Sequence, residues 1–137
     1  MIQKKEDLTI TDDTSKVDVD KVYALLSKTY WASNIPKKTI AESIQNSICL
    51  SVFKDDKQVA FARVVTDKAI FSWICDVVVD PDFRGRGIGK WMMDCITNHE
   101  LIKNTKQFLA TKDAHGLYEQ YGFKRSEFMR KTPEIFR

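Results

Sequence analysis

The chain has 137 residues, 43% of them hydrophobic and 30% charged, with a formal net charge of +3. That is the size and balance of one globular domain, expected over residues 1–137. Residues 1–20 carry a net −3 and the remainder a net +6. This excess suits an anionic ligand or a merely solvated surface, and it falls short of the concentrated basic footprint of a nucleic-acid binder. No basic-then-apolar leader and no membrane-length apolar run stands out, so a soluble cytoplasmic protein with no membrane or nucleic-acid partner is expected. Cys49, Cys75 and Cys95 are odd in number, widely spaced and set in apolar segments. They read as buried reduced thiols, not as disulfides or metal ligands, and no metal is expected.

In chain order, "LTI" at 8–10 reads as a short first strand. Asp18 is placed to cap a helix whose apolar positions Val19, Val22, Leu26 and Tyr30 recur at helical spacing. "SNIP" ends it, and Pro36 suits the first turn of a second helix carrying Ile40, Ile44 and Ile48 on one face. The period then changes. "ICLSVFKDDKQVAFARVVTD" predicts two strands joined by a turn at Asp55 to Gln58. "AIFSWICDVVV" predicts a third, apolar on nearly every residue, as a central strand covered on both faces would be. Ile88, Met92, Cys95, Ile96 and His99 mark a helix face, and "QFLAT" is another strand. Asp113 is expected to cap a short helix in "AHGLYEQY", which Gly122 ends in the left-handed conformation. "GFKRSEFMRK" supplies one or two closing strands. The expected fold is α/β, a central mixed sheet of about six strands flanked by about four helices.

The stretch between the third strand and its helix, "VVVDPDFRGRGIGKW", concentrates three of the five glycines, Gly85, Gly87 and Gly89, within five residues. Arg84 and Arg86 alternate with them. A helix start offers unpaired N–H groups and partial positive charge, and glycines let a ligand approach the main chain, so this turn reads as a phosphate cradle. The P-loop pattern fails here, because Arg84 stands where its first glycine belongs and Trp91 where Ser or Thr is required. The dinucleotide fingerprint fails too, its third glycine arriving one residue early.

What fits is R-x-x-G-x-G, carried by Arg84, Gly87 and Gly89 behind "VVVDP". With a second stretch, "DAHGLYEQYGF" at 113–123, the sequence resembles the GNAT superfamily of acyl-CoA-dependent N-acetyltransferases over about residues 48–131. The resemblance implies that acetyl-CoA is the co-substrate and a primary amine, small molecule or peptide, the acceptor. It implies that the main chain of Arg84, Gly85, Arg86, Gly87, Ile88 and Gly89, with Lys90 at the edge, holds the pyrophosphate. It likewise assigns the backbone of Val77, Val78 and Val79 to the pantetheine arm and thioester, with the Val79 N–H as candidate oxyanion donor. Tyr118, rather than Tyr121, matches the tyrosine that protonates the leaving thiolate.

Asp76 is a carboxylate in an otherwise apolar strand. It is either the proton acceptor for the amine or the partner of Arg63 on the neighbouring strand, and the residues alone leave both open. Cys75 beside it reads as core. Thr111 stands where many members of the superfamily carry asparagine and receives no role, and His115 reads as a capped surface histidine. Tyr30 and Trp31, between the first two helices, are candidates for amine binding through their π faces. The competing reading is a non-catalytic acyl-CoA-binding or sensor domain, against which Tyr118 and Asp76 argue. The oligomeric state is open, a homodimer included.

Overall fold

The computed structural model describes residues 1–136. Its sheet has six strands in the order of the chain: β1 (Ile2–Lys5), β2 (Leu8–Thr11), β3 (Ile48–Lys54), β4 (Lys57–Thr66), β5 (Phe71–Val79) and β6 (Lys106–Leu109). All neighbours are antiparallel except β5 and β6, which run parallel and are joined through a crossover helix. The helices are α1 (Val19–Leu26), α2 (Lys37–Gln45), α3 (Ile88–Thr97) and α4 (His115–Glu119). The mixed α/β architecture expected from the sequence is the one observed.

Both faces of the sheet are covered. On one, Val22, Leu26, Ile40 and Ile44 of α1 and α2 bury against Cys49, Phe61 and Val78. On the other, Ile88, Met92, Met93 and Ile96 of α3 pack on Leu50, Val52, Ala62 and Ile74. Asp18 caps α1 as its sequence position predicts, accepting the Lys21 N–H at 3.1 Å. Gln58, which the sequence assigned to a turn, lies in β4 and is 1% exposed. Its side chain accepts from the Asp18 N–H and donates to the Ala60 carbonyl, pinning the start of α1 to the sheet.

Several elements differ from the sequence reading. β1 was not expected: "IQKK" is exposed at every position and offers no apolar alternation, and it forms only as the outer arm of a hairpin turning at Glu6, φ 56°. Ile48 belongs to β3, not to α2, and Pro36 is the residue that precedes α2 rather than part of its first turn. His99 lies beyond the end of α3, where its Nδ1 accepts the Leu101 N–H. Asp113 does not cap α4; the Thr111 hydroxyl accepts the Ala114 N–H at 3.0 Å instead. Gly122 takes the expected left-handed conformation, φ 88°. No strand follows α4 among the described residues. The segment 124–131 keeps its side chains exposed, Met129 completely, and so lacks the buried face that would hold it as a strand.

Candidate active site

The turn between β5 and α3 is built by Asp80. Its N–H donates to the Val59 carbonyl at 2.7 Å, and its buried carboxylate accepts from the Lys21 ammonium at 2.5 Å and the Asp82 N–H at 2.9 Å. The Lys21 contact holds this carboxyl below the usual carboxylate range. Pro81–Phe83 make one 3-10 turn, after which Gly85 and Gly87 adopt φ of 82° and 76°, a region L-residues rarely enter. Among the described residues, no protein acceptor meets the main-chain N–H groups from Gly85 to Lys90. Gly89 has an ordinary φ, and a Cβ built on it would meet nothing within 4 Å, so neither conformation nor protein packing requires a glycine there.

The side chains of the turn behave unequally. Ile88 is 3% exposed and belongs to the core beneath α3. Arg86 points to the β1–β2 hairpin, pairing with Asp7 and Glu6 and lying 5.6 Å over the Phe83 ring. Arg84 and Lys90 are exposed and make no ion pair among the described residues.

Strand β5 supplies the next part. β6 pairs with it only from Phe71 to Ile74, so the stretch from Cys75 to Val79 has no strand along that edge. Its main chain there is available to an extended ligand lying in the gap. Val77 and Val79 pack against the α3 core and Val78 is buried under α1 and α2, so these side chains are structural. The pairing with β4 also slips between Phe61 and Arg63, where β5 carries an extra residue and Asp76 takes φ 54°.

This bulge aims Asp76 toward the α1–α2 side. Its Oδ2 accepts from Arg63 Nε at 2.9 Å and its Oδ1 from Trp31 Nε1 at 3.0 Å, while Arg63 Nη1 donates to the Ser47 hydroxyl. The ion pair with Arg63 is therefore present, and Trp31 is a second partner the sequence did not suggest. Cys75 is not core: it lines the gap, partly exposed, and burial pushes its thiol up to about 12. Cys49 and Cys95 are buried and unbridged, as expected, and burial likewise raises Cys49 to about 11.

Between β5 and β6 opens a cleft of about 1640 Å³, lined by Tyr30, Trp31, Asp76, Val77 and Tyr118. It exceeds the ~300–1,000 Å³ that encloses one drug-sized ligand and has room for two reactants. Asp76, Tyr118, Tyr30 and Trp31, drawn from four segments of the sequence, thus meet in one space. The cradle residues lie outside this lining. Tyr118 is half-buried, and burial first, then the Asp113 carboxylate and the Tyr30 phenol, push its hydroxyl above the ordinary phenol range. Tyr121 is differently employed, its hydroxyl donating to the Lys90 carbonyl at 3.0 Å and tying the end of α4 to the first turn of α3. His115 also lines the cleft.

Sequence reading passed over Asp80 and Lys21. The Asp-Pro pair at a strand end, an N-cap residue followed by proline, is the signal that could have found Asp80. Lys112, whose ammonium sits 5.2 Å over the Tyr30 ring, carried no signal at all. No group of three or more His, Cys, Asp or Glu is arranged to hold a metal, and no helix is long and apolar enough to cross a membrane, among the described residues.

The sequence model of the family described as "Acetyltransferase (GNAT) domain" matches residues 45–125. A solved structure from Xanthomonas campestris pv. campestris, described as belonging to the GNAT family, aligns with a TM-score of 0.88 at 38% identity, covering 94% of this chain and 96% of that one. An uncharacterized N-acetyltransferase of Porphyra purpurea is 30% identical over 122 residues, 81% of this chain and 67% of the relative. A Gibberella zeae protein named as an acetyltransferase is 24% identical over 110 residues, 66% of this chain and 62% of that protein, so the match spans less than two thirds of it.

Proposed function

Because the chain belongs to the GNAT acetyltransferase domain family, we propose that residues 1–137 form one N-acetyltransferase domain. It moves an acetyl group from acetyl-CoA to a primary amine by direct attack in a ternary complex. One observation carries this reading: the N–H groups from Gly85 to Lys90, without protein acceptors among the described residues, gathered at the start of a ten-residue helix. Such a run is suited to a diphosphate, and the helix dipole adds to it. Gly89, with open space where a Cβ would stand, leaves room for phosphate to come against the backbone. Arg84 and Lys90 contribute charge, whereas Arg86 is largely committed to Asp7 and Glu6.

With the diphosphate at the turn, the pantetheine arm follows the open edge of β5 along Val77–Val79, and the thioester comes into the gap beside Tyr118. The amine nitrogen attacks the thioester carbonyl carbon, a C–N bond forms, and the oxygen becomes an oxyanion facing the Val79 N–H. As the C–S bond breaks, the thiolate takes the Tyr118 proton and the new amide sheds its surplus proton to water. A phenol near 10 can protonate a thiolate whose conjugate acid lies near 8.5, and the upward shift keeps Tyr118 protonated at neutral pH. Cys75 is given no acyl-carrier role, since burial pushes its thiol up to about 12 and disfavours the nucleophilic thiolate.

Of the two roles open to Asp76, we assign it positioning. Both of its oxygens are engaged, Oδ2 by Arg63 Nε and Oδ1 by Trp31 Nε1. Its work is to hold Trp31 against the cleft. The test is release of free coenzyme A thiol from acetyl-CoA across a panel of amines. Release that depends on an amine supports the reading. Coenzyme A binding without release for any amine would leave only an acyl-CoA-binding domain.

A further inference from the structure

Resting on the acetyl-transfer reading, we propose that the end of the cleft formed by Tyr30, Trp31, Trp73 and Phe128 takes a primary amine carried on an aromatic ring. Eight of the chain's fifteen aromatic side chains line this one cleft. Those away from the phosphate turn are left open: Tyr30 is 64% exposed, Phe128 58% and Trp31 43%. They come from the α1–α2 connection, β5 and the segment after α4, three parts of the chain with no packing reason to present rings to one space.

The rings are held, not loose. Tyr30 meets Trp31 edge-on at 5.1 Å, and Trp73 meets Phe128 edge-on at 5.7 Å. The Trp31 indole N–H is already given to Asp76, so what it offers a ligand is carbon and π surface. Asp76 itself is neutralised by Arg63 and does not serve as a second ammonium anchor. Of the amide side chains lining the cleft, Gln107 donates to the Thr97 and Ile102 carbonyls and Asn98 to the Asp94 carbonyl, which leaves Gln120. At the end formed by these four rings, a ligand ring would find offset and edge-on neighbours. Tyr30 and Tyr118 line the same cleft, so the ring-binding end shares one space with the proposed acid.

The experiment is thiol-release kinetics on the full chain at saturating acetyl-CoA, with 2-phenylethylamine, n-butylamine, glucosamine and spermidine. The expected result is a kcat/KM for 2-phenylethylamine about tenfold or more above the other three. Tyr30→Ala and Phe128→Ala, both at exposed positions, should raise the KM for 2-phenylethylamine about fivefold and leave the KM for acetyl-CoA unchanged. In parallel, 2-phenylethylamine should quench tryptophan fluorescence saturably in the presence of coenzyme A. Equal or better turnover of butylamine, glucosamine or spermidine overturns the aromatic assignment while keeping the acetyltransferase. No turnover with any amine overturns both.

Discussion

Under the proposed function, the turn after β5 and the cleft between β5 and β6 recognise ligands by opposite means. The turn works through main-chain N–H groups, and side-chain chemistry enters mostly as an absence, the missing Cβ of Gly85, Gly87 and Gly89. The cleft works through side chains: Tyr118 from α4, Asp76 from a bulge, Trp31 from the α1–α2 connection. A main-chain site is written in consecutive residues, so it survives as a motif. A side-chain site is assembled by tertiary structure from distant residues, and it can change its acceptor without disturbing the turn.

Substitutions can separate the two regions. The largest effect is expected from Tyr118→Phe, which should lower kcat by about 10²–10⁴-fold with the coenzyme A Kd nearly unchanged; steady-state kinetics and calorimetry on the same preparation check both halves. Asp76→Asn comes next. It leaves the half-buried Arg63 without its counter-charge and should cost about 3 kcal/mol in urea unfolding. The acid limb of the kcat/KM–pH profile should persist, because it reports deprotonation of the incoming amine, which must be neutral to attack; a vanished limb would make Asp76 the base after all.

Gly89→Ala sharpens the contrast from the other side. Alanine in the first turn of α3 should raise stability, by up to about 1 kcal/mol, since no atom stands in the way of its methyl group. The same methyl group should weaken coenzyme A binding by about tenfold by keeping phosphate off the backbone, while amine selectivity stays the same. A variant more stable and equally tight would show that the backbone is not approached there. The smallest effect concerns acid. Lys21 lowers the folded-state pKa of Asp80, so the stabilisation is complete above the unfolded carboxylate range near 4 and is lost as pH falls through the folded value. Asp80→Asn should therefore be less stable at pH 7 and show a shallower loss of stability below pH ~4 in acid titrations.

What was readable in the sequence follows the same division. The strand–turn–helix unit, its glycines and the short helix within "AHGLYEQY" are local, and they stand where the sequence put them. Asp76 was legible as a carboxylate out of place, and Arg63 as its partner. The bulge that turns it toward Trp31 was not, because a slip in pairing depends on the opposite strand. Tyr30 continued a helical spacing on paper, yet α1 stops at Leu26, where Thr29 turns its hydroxyl onto the Leu26 carbonyl and then accepts the Ala32 N–H. That early stop sends Tyr30 to the cleft instead of the core. "GFKRSEFMRK" has strand-like alternation, but among the described residues it pairs with no strand, and its side chains from Lys124 to Lys131 stay exposed. "IQKK" lacks alternation and becomes a strand only because β2 offers an edge.

The central claim is that exposed amides of the turn grip the coenzyme's diphosphate, and backbone amide chemical shifts in a coenzyme A titration test it most directly. The account predicts saturable movement of the Gly85, Gly87, Ile88 and Gly89 resonances, larger than any in β1, β2 or α2. Unmoved resonances at these positions, with or without shifts elsewhere, would contradict it.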